Sequence, residues 1–188
     1  VADQVGPTGQ VVGVDLNESA ISTARTRNEA RFDSTNLDFL CGNIDAVNQR
    51  FDAVMLFNVL SYVVDPVSLV EECRRLLTPG GRIIAKDTDI ASNFYWPIDP
   101  EVYGRVLATV LSRAGVVDGY DPGFARRLPS LVNEIPALSI RTFAQNVLIT
   151  SPMTHIERQY VMGNVAVTAG LLEATGASSL ASAWTSLF

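Results

Sequence analysis

The sequence predicts an α/β fold in which a mostly parallel sheet is covered by helices on both faces. Short apolar segments alternate with helical patterns along the chain, as in sheets built from strand, crossover helix and strand. The length of 188 residues suits one domain, and 47% hydrophobic with 18% charged residues is the composition of a folded protein. We therefore expect residues 1–188 to form a single α/β domain.

The first predicted elements are a strand, a helix and a second strand. Residues 10–14 form a short apolar segment that ends at Asp15, and a Gly-Pro-Thr-Gly turn precedes it. Asn17 has the residue type and the place of an N-cap, so a helix should follow over about residues 18–31. A second short apolar segment covers residues 37–40 and predicts the next strand.

The middle of the chain carries the strongest strand signal. Residues 51–57 are nearly all apolar, which predicts a central parallel strand that is buried on both faces and ends at Asn58. Asp65 and the proline after it are a favoured start for a helix. The Pro-Gly-Gly sequence at residues 79–81 should end that helix, and residues 82–87 should form the next strand.

The C-terminal half is mainly helical in pattern. Asp99 and the proline after it predict the start of a helix, and residues 124–132 resemble a second, short helix. Residues 138–150 are strand-like. Residues 153–187 are helical in pattern, with a break expected around Gly176.

Composition argues against several classes of protein. A net charge of −6 does not suit a surface that neutralises phosphates, so we expect no nucleic-acid partner. No run approaches the ~18 apolar residues of a membrane helix, so we expect a soluble protein. Cys41, Cys73 and the single His155 are too far apart for a metal site, and two distant cysteines fit a reducing, cytoplasmic compartment.

Four motifs in order resemble one enzyme family. They are the strand that ends at Asp15, the Gly-Asn-Ile turn at residues 42–44, the FDAVMLFNVLSYVVDP segment at residues 51–66 and the LLTPGGRII segment at residues 76–84. Together, over about residues 5 to 90, they resemble class I S-adenosylmethionine-dependent methyltransferases. The resemblance implies a Rossmann-like fold, a cofactor-binding part in residues 1–90 and a helical, substrate-side part in residues 91–188.

The resemblance also implies which residues bind S-adenosylmethionine. The Asp15 carboxylate would accept both ribose hydroxyls, although it could instead only cap the next helix. Asn43, where many relatives carry aspartate, would accept a hydrogen bond from the adenine amine, and Ile44 would pack on the adenine ring. The alternative role of Asn43 is a local Asx turn. Asn58 would line the methionine portion. The complete implied set is Asp15, Leu16, Asn43, Ile44, Asn58 and Val59.

The chain departs from the family pattern at both ends. Relatives open with a strand and a glycine-rich turn, and they close with a further strand, yet no GxGxG precedes Asp15. We therefore expect that the first strand, which would lie between the strands that end at Asp15 and Asn58, and the last strand are missing. Two strand edges would then stay unpaired, and the chain as printed would be inactive.

The methyl acceptor is expected to be a small molecule, because no NPPY-like segment and no Pro-Cys pair is present. The atom that is methylated, a dedicated catalytic residue and the oligomeric state stay open. Aromatic and acidic residues after the strands are candidate substrate contacts, although such aromatics are more often part of a core: Tyr62, Asp89, Tyr95 and Trp96. The candidates for accepting a proton from the substrate are Tyr62, Asp87, Asp89 and His155.

Two alternatives stay open. An acidic residue after a strand also occurs in nicotinamide-dependent Rossmann oxidoreductases, where it holds a ribose. A noncatalytic remnant, or one partner of a split protein, would also explain the missing glycine-rich turn.

Overall fold

The computed structural model describes residues 1–30, 36–93, 95, 97–112, 120–135, 139, 141–144 and 149–188. Its helices and strands alternate through the first half of the chain and give way to helices in the second, which confirms the α/β prediction. The strands are β1 (Val11–Asp15), β2 (Leu37–Cys41), β3 (Phe51–Phe57) and β4 (Leu77–Lys86). The helices are α1 (Ala2–Val5), α2 (Glu18–Glu29), α3 (Pro66–Arg75), α4 (Pro100–Ser112), α5 (Leu128–Asn133), α6 (His155–Ala174) and α7 (Ser178–Thr185).

The described chain divides into two compact units. The first unit consists of Val1–Val54 and Glu72–Arg82, and the second consists of Met55–Glu71 and Ile83–Phe188. The described strands form two two-stranded sheets, β1 with β2 and β3 with β4. No described helix is long and apolar enough to cross a lipid bilayer.

In the first unit, β1 and β2 form a parallel ladder whose register runs from Val11 opposite Leu37 to Asp15 opposite Cys41. Gly13 lies opposite Phe39, and a Cβ atom at Gly13 would come within 2.8 Å of the Phe39 ring. Only glycine therefore allows this close packing of the ring on the strand. Both strands occur where the sequence predicts them.

The β3–β4 sheet is also parallel. The Phe51 amide donates to the Leu76 carbonyl at 2.7 Å near the start of both strands, and the Asn58 amide donates to the Lys86 carbonyl at 2.7 Å near their ends. A central strand buried on both faces was the prediction for β3, and it is wrong. Met55 and Phe57 are 41% and 52% exposed.

The boundary between α3 and β4 also differs from the prediction. Asp65 caps α3 as expected, with its Oδ1 accepting the Ser68 amide at 2.9 Å, but α3 ends at Arg75 and β4 already begins at Leu77. The Pro-Gly-Gly sequence lies within the strand because its glycines fit there. Gly80 has a φ of +81°, and a Cβ atom at Gly81 would lie only 3.2 Å from the Asp52 carbonyl oxygen.

In the second unit, α4, α6 and α7 share a hydrophobic core. Trp184 is 1% exposed and donates its indole N–H to the Val165 carbonyl at 3.1 Å. Gly176, with a φ of +77°, separates α6 from α7 where the sequence predicts a break. The other buried members of the core are Val106, Val110, Ala169, Leu172, Leu180 and Ala181.

The remaining predictions for the C-terminal half have mixed outcomes. The helix expected over residues 124–132 is present as a 3₁₀ turn, Phe124–Arg127, followed by α5. The strand expected over residues 138–150 falls partly outside the described residues, at residues 138, 140 and 145–148. Those described in that range, 139, 141–144 and 149–150, form no strand.

Candidate functional site

In the first unit, polar side chains lie at the carboxyl ends of β1 and β2. Asp15 is paired in register with Cys41, and the Gly42 amide donates to the Asp15 carbonyl at 3.0 Å. Asn43 follows directly, so Asp15 and Asn43 occupy neighbouring strand ends, and both are exposed. We call the set Asp15, Leu16, Asn43 and Ile44 the first edge.

The Asp15 carboxylate is not the cap of α2. Its Oδ1 accepts the backbone amide of Asn17 at 2.8 Å, and it is Asn17 that accepts from the Ser19 and Ala20 amides at 2.9 and 3.3 Å. Asp15 instead fixes the turn that leads to the cap. Its Oδ2 has no partner among the described residues, which leaves a charged acceptor exposed at the strand end.

Asn43 and Ile44 begin a 3₁₀ turn, Ile44–Ala46. The Asn43 side-chain oxygen accepts the Ile44 amide at 2.8 Å, so the local turn expected as its alternative role is present. One amide oxygen can accept two hydrogen bonds, so this turn leaves Asn43 able to accept another. Ile44 is partly buried, whereas Leu16 is 76% exposed.

In the second unit, Asn58 follows β3 in a strained backbone conformation. Its φ is +52°, which few residues other than glycine adopt and which asparagine tolerates better than most. The Asn58 side-chain oxygen accepts from Lys86 Nζ at 2.9 Å and from Thr88 Oγ1 at 3.1 Å. We call Asn58, Val59, Lys86 and Thr88 the second edge.

Sequence reasoning missed Lys86 and Thr88. They lie close to Asn58 because the ends of β3 and β4 are neighbours, and only the strand register shows this. The sequence signal that could have indicated Lys86 is a charged residue at the end of a strand.

A second polar group lies beside that edge. Asp87 Oδ1 accepts the hydroxyl of the buried Ser61 at 2.7 Å, while Asp87 Oδ2 is buried and has no hydrogen-bond partner among the described residues. Burial raises the pKa of Asp87 above its usual range, although hydrogen bonds from the Ser61 hydroxyl and from the Ser61 and Leu60 backbone amides, together with the Lys86 charge, act to lower it. Sequence reasoning named Asp87 only as one of four possible proton acceptors.

Aromatic rings adjoin this carboxylate. Tyr62 stacks on Tyr120 with ring centroids 4.5 Å apart and an interplanar angle of 27°. The pKa of Tyr62 is raised, mainly by burial and next by the charge of Asp87. The pKa of Tyr120 is also raised, mainly by burial, next by the Tyr62 hydroxyl and then by the charge of Asp87. Tyr120 is buried, whereas Tyr62 is 51% exposed, so one ring of the stack faces solvent.

The other candidate residues have different surroundings. Asp89 accepts from the Arg126 guanidinium at 2.8 Å and also from the Ser92 hydroxyl. Tyr95 packs edge-on against Trp184, with centroids 5.3 Å apart, and burial raises its pKa to about 12. Trp96 lies outside the described residues. His155 is the exposed first residue of α6.

The predicted site residues therefore lie in two groups. The first edge belongs to the first unit, and the second edge belongs to the second unit together with Tyr62, Asp87, Asp89 and Tyr95. Asp15 and Asn43 are neighbours as predicted. That Asn58 joins them on one rim stays a prediction.

Comparison with known proteins identifies a family and several relatives. The model of a methyltransferase domain matches residues 1–108. The ubiquinone biosynthesis O-methyltransferase of Coxiella burnetii is 34% identical over 76 residues, which are 39% of this chain and 32% of that protein. The demethylmenaquinone methyltransferase of Lactococcus lactis is 33% identical over 93 residues, 47% of this chain and 36% of that one.

A third relative covers more of this chain. The arsenite methyltransferase of Halobacterium salinarum is 29% identical over 120 residues, which are 62% of this chain and 30% of that protein. The chain thus spans about a third of the length of these three curated relatives.

Proposed function

This chain belongs to the methyltransferase-domain family, and we propose from that membership that the protein transfers a methyl group from S-adenosylmethionine to a small molecule. One observation in the structure carries the proposal. At the carboxyl end of β1, the exposed Asp15 has a carboxylate oxygen that no described residue binds, and Asn43 lies at the end of the neighbouring strand. Ligands of open parallel sheets bind at such strand ends.

In this proposal the first edge binds the nucleoside. Asp15 Oδ2 accepts hydrogen bonds from the ribose hydroxyls, while its Oδ1 stays bound to the Asn17 amide. A carboxylate suits a diol and repels a phosphate in its place. The second acceptor position of the Asn43 oxygen takes the adenine amine, and Ile44 with Leu16 supplies apolar contact to the base.

The second edge binds the methionine portion. Asn58 and Val59 line it, and the hydrogen bonds from Lys86 and Thr88 hold the Asn58 side chain in one orientation. The strained backbone of Asn58 supports this role, because outliers of this kind cluster at ligand sites. Methyl transfer disperses charge, so these residues contribute by positioning and by excluding water.

The exposure of the candidate side chains indicates which of them can contact the methyl acceptor. Tyr62 presents a half-exposed ring and is the substrate contact we favour. Asp89, Tyr95 and Trp96 are proposed as further contacts to the methyl acceptor. The relatives are named for ubiquinone biosynthesis, demethylmenaquinone and arsenite, which differ widely, so the acceptor of this protein is proposed only as a small molecule.

The direct test is to follow the methyl group. S-adenosylmethionine carrying a radioactive methyl group is incubated with the protein and an extract of small metabolites. Label should enter the small-molecule fraction and not protein or nucleic acid. The Asp15→Asn variant should lower the incorporation, whereas Asp3→Asn, an exposed carboxylate in α1, should not. Unlabelled metabolites together with turnover of a nicotinamide cofactor would favour the oxidoreductase alternative.

We also propose that this chain self-associates. The β3–β4 sheet exposes Met55, Phe57 and Ile84, at 41%, 52% and 42%, and such bare apolar strand faces promote association. Light scattering on the purified chain should show particles larger than a monomer. A monodisperse monomer would contradict this proposal.

A further inference from the structure

Helix α6 is apolar on two opposite faces. Its inner face contributes Val165, Ala169 and Leu172 to the core that it shares with α4 and α7. The residues of its outer face recur every three or four positions, are all exposed and carry no charge: Ile156, Tyr160, Gly163, Val167, Gly170 and Ala174. We call these six residues the α6 stripe.

The large side chains of the α6 stripe are open to solvent. Ile156 is 76% exposed, Tyr160 is 49% exposed and Val167 is 44% exposed. No charged residue occurs in α6 between Arg158 and Glu173. A helix at the surface of a domain ordinarily has charged and polar residues on its outer face, and a helix that is apolar all round is ordinarily buried all round. The outer face of α6 therefore suits contact with another apolar surface.

The two glycines of the α6 stripe have no explanation within the described part of the chain. Glycine is less favourable in a helix interior than any residue except proline. A Cβ atom at Gly163 or at Gly170 would have open space around it, because no described atom beyond the helix's own backbone lies within 4 Å. Glycine allows the close approach of another backbone, so a helix from outside the chain would explain both residues.

The order of large and small residues in the α6 stripe is self-complementary. Its midpoint is residue 165, and a second α6 that ran antiparallel across this midpoint would place residues equally distant from it opposite each other. Each large side chain would then face a small residue of the other helix, in the pairs Ile156 with Ala174, Tyr160 with Gly170 and Val167 with Gly163. Large residues opposite small ones let two helices interdigitate closely. A parallel second helix would instead place tyrosine on tyrosine and glycine on glycine.

The charges at the two ends of α6 also favour an antiparallel second copy. Arg158 is close to the start of the helix and Glu173 is close to its end, so antiparallel pairing brings Arg158 of one copy to Glu173 of the other. Among the residues that the structure describes, neither side chain forms an ion pair. The dipole of its own helix disfavours a carboxylate at Glu173, whereas the start of a second helix attracts one.

We propose that two copies of this chain pair through the α6 stripe, with their α6 helices antiparallel about a twofold axis at residue 165. Because a twofold axis closes the contact, the product is a dimer and not a larger aggregate. The inference concerns assembly and does not depend on methyl transfer. It also uses residues other than those of the exposed β3–β4 sheet face, so the two kinds of association can be measured separately.

A cross-linking experiment on the protein tests the pairing at one position. Ala166 is exposed and adjoins the axis, so Ala166→Cys places two thiols close together in the dimer. The background variant Cys41→Ser removes the half-exposed native thiol, and Cys73 is buried. A short bismaleimide should join two copies through residue 166 in high yield. Ala183→Cys in the same background is the matched control, because Ala183 is exposed on α7, outside the stripe.

The control decides between specific pairing and random contact. A covalent dimer at residue 166 and little at residue 183 is the result we expect. Equal yields at the two positions would mean that the chains meet in other ways, and no cross-link at residue 166 would mean that the stripe does not pair. Either of these results would overturn the proposal.

A second variant tests the glycines. Gly163→Gln inserts a side chain where Val167 of the other copy packs, so the dimer Kd, read from the concentration dependence of the initial cross-linking rate at residue 166, should rise about 10-fold or more. Glutamine is a better helix former than glycine, so urea unfolding should show no loss of stability of the single chain. Gly104→Gln is the matched control, because Gly104 is also an exposed helical glycine without a described atom near its Cβ position. An equal Kd for the two variants would contradict the packing of α6 on α6.

A charge exchange tests the antiparallel direction. Arg158→Glu should raise the dimer Kd, because it places two carboxylates together at each end of the contact. Adding Glu173→Arg should restore the wild-type Kd, since the exchanged charges again attract each other. A double variant that pairs no better than Arg158→Glu alone would overturn the antiparallel arrangement.

Discussion

Replacing Asp15 with asparagine separates its two roles. Asparagine keeps an oxygen that can accept the Asn17 amide, which Asp15 Oδ1 accepts at 2.8 Å, so the turn before α2 should survive. The charge at Oδ2 is lost. A hydrogen bond to a charged group contributes about 1.5–3 kcal/mol, so the Kd for S-adenosylhomocysteine should rise about 10- to 150-fold.

The neighbouring Asn17 provides a matched control for Asp15. Asn17→Ala removes the side chain that accepts the Ser19 and Ala20 amides, which should cost about 1 kcal/mol of unfolding free energy. The Asp15 carboxylate stays in place. Calorimetric titration and urea unfolding of both variants should therefore show a loss of affinity for Asp15→Asn and a loss of stability for Asn17→Ala.

Two results would refute this reasoning. An unchanged Kd for Asp15→Asn would mean that the carboxylate serves only the turn. An equal loss of affinity in Asn17→Ala would mean that the position of α2, and not the charge of Asp15, determines binding.

Four further predictions concern the helical part and the Cys73 thiol. Trp184→Ala should cost about 3–5 kcal/mol of unfolding free energy, because Trp184 is 1% exposed in the core of α4, α6 and α7; urea unfolding measures this. Thr154→Ala should remove the capping box of α6 and cost about 0.5–2 kcal/mol by the same assay. The Thr154 backbone amide and, next, its side chain lower the pKa of Glu157, so the stability that Glu157 contributes is complete above the unfolded pKa near 4.5 and is lost as the pH falls through the folded pKa. Thermal unfolding from pH 7 to pH 3 should show this loss for wild type and a smaller loss for Thr154→Ala, because alanine keeps the backbone amide but not the hydroxyl. Burial raises the pKa of the Cys73 thiol to about 11, so iodoacetamide at pH 8 should modify Cys73 at the rate of unfolding; fast modification in the folded chain, seen by mass spectrometry, would show that it is accessible.

The elements that local sequence signals define were predictable. Asn17, Asp65 and Gly176 act through their nearest neighbours in the chain, and the structure confirms two caps and one helix break at these residues. The strand ends at Asp15 and Asn58 were predictable for the same reason, because apolar runs stop there.

Features that depend on distant residues were not predictable in this way. Apolar composition indicates that β3 is a strand, but the exposure of Phe57 depends on what covers the strand. The Pro-Gly-Gly sequence usually marks a turn, yet here Gly81 lies in β4, where a Cβ atom would come within 3.2 Å of the Asp52 carbonyl oxygen. Likewise, the pairing of Ser61 with Asp87 joins residues 26 positions apart in the chain.

The most direct test of the proposed methyltransferase function is the choice of cofactor by the protein. Calorimetric titrations with S-adenosylhomocysteine and with NAD are compared under the same conditions. The proposed function predicts one S-adenosylhomocysteine bound per chain at micromolar affinity and no heat from NAD. Saturable binding of NAD without binding of S-adenosylhomocysteine would contradict it.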